Sequence, residues 1–123
     1  MANWYALRVV TRQERAVAAN LAERDLPFFL PMQTDWAGVP KVKHMDPLLP
    51  GYLFVLCDLE SAADIIGLQG VINFVRYTAN DGVLWPVEFP GSIILGLQIE
   101  ERAGTYDFTR LVTAPKYRPL KGE

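Results

Sequence analysis

The first part of the chain shows the two-residue period of a strand and then changes to a helical period. From Asn3 to Val10 every second residue from Tyr5 onward is apolar, which predicts a strand with one side in a core. Apolar residues then recur at helical spacing to about Asp25, which predicts an amphipathic helix. The Thr11–Glu14 segment has the form of a capping box at the start of that helix.

The strongest strand signal runs from Tyr52 to Asp58, directly after a Pro50-Gly51 bend. Proline fixes φ and glycine permits positive φ, so this pair suits a sharp turn. Tyr52 and Phe54 share one face of the predicted strand, and residues 53 and 55 share the other. Since both faces are apolar, the pattern leaves their surroundings open. We expect residues 53 and 55 to lie in the core, and Tyr52 and Phe54 to face outward.

The same two periodicities predict the remaining elements. They are strands over 28–36, 70–77 and 83–87, a long hairpin with its tip and return arm between Trp36 and Pro47, a short helix over 59–67 capped by Asp58 or Ser61, and a last helix over 90–102. This order favours the α+β class, with a mostly antiparallel four-stranded sheet and about three helices in a ferredoxin-like sandwich.

The composition restricts the classes of protein that fit this pattern. The chain has 123 residues, 50% of them hydrophobic, which suffices for one domain with a core. The formal net charge of -2 argues against a protein that binds mainly by neutralising phosphates. A single cysteine, Cys57, leaves no internal disulfide. Without a signal-peptide pattern or a long apolar run, we expect a cytoplasmic protein that does not enter the membrane.

Candidate catalytic and metal-binding residues are few. His44 is the only histidine, and Asp46 is the nearest carboxylate that could orient it, but the simpler interpretation is a solvated loop histidine. Gly67 and Gly70 lack the spacing and the lysine of a phosphate-binding loop. Apart from carboxylate sites for hard cations, metal binding would need more histidine and cysteine than the chain has. We therefore predict a protein that is not an enzyme and that needs no cofactor.

Four motifs occur in order between Trp4 and about Pro86. They are Trp4-Tyr5, Leu30-Pro31-Met32, the long run Pro47–Val55, and Gly70-Val71 followed by Phe74-Val75-Arg76. In this order and spacing the chain resembles the N-terminal domain, or NGN domain, of the bacterial NusG transcription elongation factors, and most closely their RfaH-like branch. The long run is the specific part of the resemblance.

The resemblance implies a function in transcription. Residues 1–103 would form an NGN-type domain that binds RNA polymerase at the clamp helices, a coiled coil of the largest subunit, and modulates pausing or termination. Residues 104–123 would be a linker to a KOW barrel, absent or truncated here, through which the family contacts the ribosome or a termination factor. The sequence leaves open whether the effect is antipausing, antitermination or enhanced termination.

Carried over by position, the polymerase-binding surface would consist of Arg8, Leu49, Tyr52 and Phe54. Such a surface suits a coiled coil, whose apolar ridge is edged with charge. The alternative for Tyr52 and Phe54 is a place in the core beneath the last helix. Contacts with the non-template DNA strand or the upstream duplex would come from basic residues that are equally well explained as solvated surface charges, namely Arg12, Arg15, Lys41 and Lys43.

Several positions depart from the RfaH-like pattern. Arg8 stands where that branch has a tyrosine, and Leu49 where an aromatic residue is common, so the surface would depend more on charge. Ser61-Ala62-Ala63 and Gln69 replace a His-Thr-Thr segment and an arginine, which argues against recruitment by a specific sequence. The alternative function is a free-standing single-stranded nucleic-acid-binding module that uses an aromatic sheet face.

Overall fold

A computed structural model of the protein describes residues 1–109. Within that range the backbone forms nine strands and three α-helices, with a 3₁₀ turn at Leu59–Ser61. In chain order the elements are β1 (Asn3–Val9), α1 (Glu14–Glu23), β2 (Phe28–Phe29), β3 (Met32–Ala37), β4 (Val42–Pro47), β5 (Tyr52–Cys57), α2 (Ala62–Ile66), β6 (Val71–Phe74), β7 (Arg76–Thr78), β8 (Leu84–Pro86), β9 (Glu88–Phe89) and α3 (Gly91–Arg102).

The centre of the fold is an antiparallel sheet in the order β2-β5-β1-β6, with β9 also paired to β1. Two hairpins, β3–β4 and β7–β8, form separate two-stranded sheets. The predicted α+β class with antiparallel strands and three helices is therefore confirmed. The sheet has five strands rather than the predicted four. The additional strand is β9, whose two residues before Pro90 are too few to leave a periodic signal in the sequence.

Both faces of the sheet are covered, which explains why β1 and β5 are apolar on both sides. On one face, buried residues of β1 and β5 pack with α1 and α2 in a core that includes Leu7, Leu53 and Leu21. On the other face, Phe54 lies in a second cluster with Ile94 of α3. The expectation that residues 53 and 55 lie in the core is confirmed, since neither has any exposed area.

Side-chain capping was predicted at two helix starts, and neither cap forms. Gln13, not Thr11, is the N-cap residue of α1, and it makes no side-chain hydrogen bond. Arg12 before it has a φ of 77°, so the chain turns just before the helix and the predicted capping box does not form. Neither Asp58 nor Ser61 caps the short helical segment. Instead, Asp58 Oδ1 lies 2.7 Å from the amino group of Met1, because β1 and β5 are antiparallel neighbours.

Two of the predicted strands are interrupted. The 28–36 strand divides into β2 and β3 around Pro31, which has no N–H to give to a ladder. The 70–77 strand divides into β6 and β7 at Val75, whose N–H donates to Ala6 O. A register shift between Arg8 and Val9 accompanies this pairing. The predicted hairpin and last helix are present as β3–β4 and α3.

After α3 the chain turns back on the hairpin. Thr34 of β3 donates its N–H to Tyr106 O and accepts a hydrogen bond from Phe108 N. The rest of the predicted linker, 110–123, lies outside the described residues. Among residues 1–109 no helix is long and apolar enough to cross a membrane.

Candidate functional site

The Pro50-Gly51 bend is a tight turn with a defined type. Tyr52 N–H donates to Leu49 O at 3.0 Å, Pro50 is the second residue, and Gly51 is the third with a φ of 84°. Proline second and positive φ third is the arrangement of a type II β-turn. Leu49 and Tyr52 therefore mark the two ends of one turn, which brings two of the predicted site residues together.

A buried carboxylate holds the middle of this turn. Glu14, the first residue of α1, is only 3% exposed, and its Oε2 accepts a hydrogen bond from Gly51 N–H at 2.7 Å. The Gly51 carbonyl in turn accepts a hydrogen bond from Val9 N–H at 2.8 Å. Both polar groups of the glycine are thus bonded to other elements of the fold, and the turn is fixed against α1 and β1.

Arg8 is the direct neighbour of Tyr52 on the sheet. The two are cross-strand partners in the β1–β5 pairing, and both are exposed. They line a groove of about 420 Å³ together with Val10, Ile72 and the Pro50-Gly51 bend. Three of the four predicted residues, Arg8, Leu49 and Tyr52, are thus brought together at one end of the sheet, and with Val10 and Ile72 they are called the turn surface below.

Phe54 does not belong to this surface, so the expectation that it faces outward beside Tyr52 is wrong. It is 6% exposed, with its ring 5.3 Å from that of Phe89 and 6.3 Å from that of Phe29 between centroids. Ile94 of α3 lies in the same cluster. The alternative interpretation, a core residue beneath the last helix, is correct for Phe54, because α3 covers the middle of this sheet face.

Two apolar residues of the turn surface were missed by the sequence analysis. Val10 and Ile72 are 46% and 48% exposed. Val10 directly follows β1, where alternation alone puts it on the Arg8 side, so this signal was available. Ile72 lies in the register shift of the β1–β6 pairing, where Arg8 pairs with Asn73 but Val9 with Val71. That shift leaves Ile72 as an extra residue, which only the folded sheet reveals.

Arg12 and Arg15 lie together at the base of the β3–β4 hairpin. Both line a groove of about 320 Å³ whose other side includes Gln33 and Asp46. Arg15 donates from Nη2 to Met45 O at 2.6 Å, so its guanidinium connects α1 to β4. Among residues 1–109 Arg12 makes no such hydrogen bond, and it remains an exposed cation.

The two hairpin lysines lie apart from this arginine pair. Lys41 is in the turn that joins β3 to β4, and Lys43 pairs across the hairpin with Trp36. The Lys43 ammonium is 6.0 Å from the centre of the Trp36 ring, at the outer limit of a cation–π contact. The four predicted basic residues therefore form two groups, one at the base and one towards the tip of the hairpin.

The remaining reactive side chains do not form a cluster with these residues. His44 is exposed on β4 opposite Asp35. Cys57 is buried, and its burial, aided by the charge of Asp58, raises the pKa of its thiol to about 11. Among residues 1–109 no group of three histidine, cysteine, aspartate or glutamate side chains could hold a metal ion.

Comparison with known proteins identifies the family of this chain. A family model described as transcription termination factor NusG matches residues 2–94. That span covers the sheet, α1, α2 and the turn surface. The chain therefore belongs to the NusG family. No curated protein matches the sequence.

Among solved structures, the chain is similar to NusG of Thermotoga maritima, from work on domain interaction in that protein. The two share 20% sequence identity, with a TM-score of 0.48. The match covers 71% of this chain and 51% of the Thermotoga chain, so this sequence spans about half the length of that relative.

Proposed function

We propose that this domain is a transcription elongation or termination factor that binds RNA polymerase through the turn surface. One observation carries the proposal. Leu49 and Tyr52 stand exposed at the two ends of a fixed turn, with Arg8 beside Tyr52 on the next strand. Membership of the NusG family supports a function in transcription, because the matching family model is described as a transcription termination factor.

The polymerase element that best suits this surface is the clamp-helix coiled coil of the largest subunit. Two paired helices present a ridge of apolar side chains bordered by charged residues. The groove at Tyr52, Val10 and Ile72 would receive apolar side chains of that ridge. Arg8 at its edge would meet a carboxylate, with which a guanidinium forms paired hydrogen bonds.

Contact with the non-template DNA strand or the upstream duplex is a second part of the proposal. Arg12 is exposed at the base of the hairpin, and Lys41 and Lys43 are exposed towards its tip. A hairpin bearing cations on a chain of formal net charge -2 would favour local contact with phosphates over strong binding to free nucleic acid.

We also propose that residues 1–103 are the polymerase-binding unit and that 104–123 act as a linker to a KOW barrel, through which the ribosome or a termination factor would be contacted. The RfaH-like subtype and the cytoplasmic location belong to the same proposal. The subtype rests on the motifs of the sequence, above all the run Pro47–Val55, and the cytoplasmic location follows from the proposed binding of RNA polymerase.

A binding assay with the isolated clamp-helix coiled coil tests the main proposal. Tyr52→Ala and Leu49→Glu should each lower the affinity at least tenfold, about 1.4 kcal/mol, because an aromatic anchor and an apolar contact are lost. Tyr77→Ala is the matched control, since Tyr77 is an exposed tyrosine on the β7–β8 hairpin. Unchanged binding by folded Tyr52→Ala and Leu49→Glu would show that the surface is wrongly assigned.

The single-stranded nucleic-acid-binding alternative loses its main support. It required an aromatic sheet face free for base stacking, but Phe29 and Phe54 are buried in the cluster with Ile94 of α3. Tight, strongly salt-dependent binding of an oligonucleotide in the absence of polymerase would restore this alternative.

A further inference from the structure

We propose that Glu14 is a positioning residue for the polymerase-binding turn. Its carboxylate selects the turn conformation that presents Leu49 and Tyr52, although Glu14 itself lies beneath the surface. The inference rests on the function proposed above, because it explains how the binding residues are held. It concerns a residue that the sequence pattern assigns only to a helix cap.

The position of Glu14 is unusual for a carboxylate. It is 3% exposed, and among residues 1–109 no lysine or arginine nitrogen lies within 4.0 Å of its oxygens. Burial of a charge without a partner is strongly unfavourable. Two features offset it here: the hydrogen bond from Gly51 N–H at 2.7 Å and the place of Glu14 at the first turn of α1, where the helix dipole favours negative charge.

The hydrogen bond from Gly51 distinguishes between two forms of the turn. Types I and II differ by a rotation of the peptide between the second and third residues, with ψ of the second residue changing by roughly 150°. This rotation would point Gly51 N–H away from Glu14. The positive φ of Gly51 and the bond from Val9 N–H to its carbonyl agree with type II, so the carboxylate accepts a bond that only this form offers.

The consequence reaches the turn surface directly. Leu49 and Tyr52 are the first and last residues of the turn, so a rotated central peptide would change where their side chains project. Only molecules with the type II turn would then be able to bind, and the apparent affinity would fall in proportion to their fraction. Glu14 thus contributes to affinity by preorganisation, without touching the partner.

The test compares three variants of the full 123-residue chain, with the isolated clamp-helix coiled coil as the probe. Glu14→Gln keeps an oxygen acceptor at the same reach, and should bind within threefold of wild type. Glu14→Met keeps the size but removes the acceptor, and should bind about tenfold more weakly at a temperature where it is folded. Ile65→Val, a buried change in α2, is the control for lost stability and should bind like wild type.

A second measurement reads the turn itself. In the free protein, the amide resonance of Gly51 should move upfield and its hydrogen exchange should accelerate in Glu14→Met, but hardly in Glu14→Gln or Ile65→Val. This measurement needs no partner. If wild type fails to bind the coiled coil, the proposed function is wrong, and the Gly51 amide still decides whether Glu14 holds the turn.

Three outcomes would overturn the inference: wild-type affinity in Glu14→Met, equal losses in Glu14→Gln and Glu14→Met, or a Gly51 amide that does not respond. Should Glu14→Met not fold, Glu14→Asp takes its place. Aspartate keeps the charge and suits the start of a helix, but it is one methylene shorter and cannot reach Gly51. It should therefore bind weakly, and wild-type affinity of Glu14→Asp would contradict the inference.

Discussion

Tyr52 and Phe54 project from the same face of β5, two residues apart, yet Tyr52 is 39% exposed and Phe54 is 6% exposed. The difference arises because α3 covers only part of that face. Ile94 packs against Phe54 and Ala6, whereas the next cross-strand pair, Tyr52 with Arg8, lies beyond the helix. One strand face therefore serves the core at Phe54 and remains open at Tyr52.

Alanine substitutions at these two positions should lower the stability by very different amounts. Phe54→Ala should lower the free energy of unfolding by about 3–5 kcal/mol, because it leaves a cavity among packed rings. Tyr52→Ala should cost at most about 1 kcal/mol, since its side chain is partly in solvent. Equilibrium urea unfolding measures both values. A loss at Tyr52 as large as that at Phe54 would mean that Tyr52 belongs to the core.

Gly70 should tolerate a side chain less well than Gly82. Both have positive φ, 91° and 81°, so alanine costs about 1–2 kcal/mol at either site through backbone strain. A Cβ on Gly70 would also lie 3.0 Å from Val17 Cγ2 and from Gln13 Oε1, while nothing lies within 4 Å at Gly82. Urea unfolding of Gly70→Ala should show roughly 1 kcal/mol more destabilisation than Gly82→Ala. Equal losses of stability in the two variants would show that the side chains of α1 move to accommodate the new Cβ without destabilising the protein.

Cys57 should make stability fall at high pH. Its thiol pKa is about 11 in the folded protein against 9.0 for a free thiol, so the folded state binds more protons between these values and loses stability as pH rises above 9. The loss should reach about 1 kcal/mol by pH 10. Urea unfolding at pH 8 and pH 10 measures this loss. The Cys57→Ala variant, measured in the same way, gives the part of the pH dependence that comes from all other titrating groups. The same slope in both proteins would contradict this assignment.

The hairpin lysines should account for part of the salt dependence of binding to a transcription complex. If Lys41 and Lys43 each contact a phosphate, the double change to glutamine should reduce the slope of log K against log salt by about two. Affinity for the isolated clamp-helix coiled coil should stay unchanged. Arg24→Gln, an exposed change just after α1, is the control. An unaltered slope in the lysine variant would show that Lys41 and Lys43 do not contact the DNA.

Much of the fold follows from local patterns in the sequence. The two-residue period of β1 and the helical spacing in α1 and α3 report the backbone geometry of each segment, because side-chain direction repeats with its own period in strands and helices. The apolar run of β5 also favours a strand. The turn at Pro50-Gly51 was equally readable, since its type depends on the φ values that these two residues allow. The motif order between Trp4 and Pro86 also identified the family that the comparison establishes.

Local patterns could not decide which residues share the site. Glu14 and Gly51 are 37 residues apart, and the capping-box pattern assigned Glu14 to its own helix. Ile72 is exposed because of a register shift between strands, and a strand's own sequence does not report how its partner is aligned.

The sequence by itself determined the helices, most of the strands, the sharp turn and the membership of the NusG family, because these depend on local backbone preferences and on the order of motifs. Only the tertiary structure decided that Phe54 is core, that Tyr52 is open beside Arg8, and that Glu14 holds Gly51. The physical reason is that burial depends on where a distant helix ends on the sheet. The sequence pattern gives Tyr52 and Phe54 the same environment on one strand face, but in the folded protein α3 covers only Phe54.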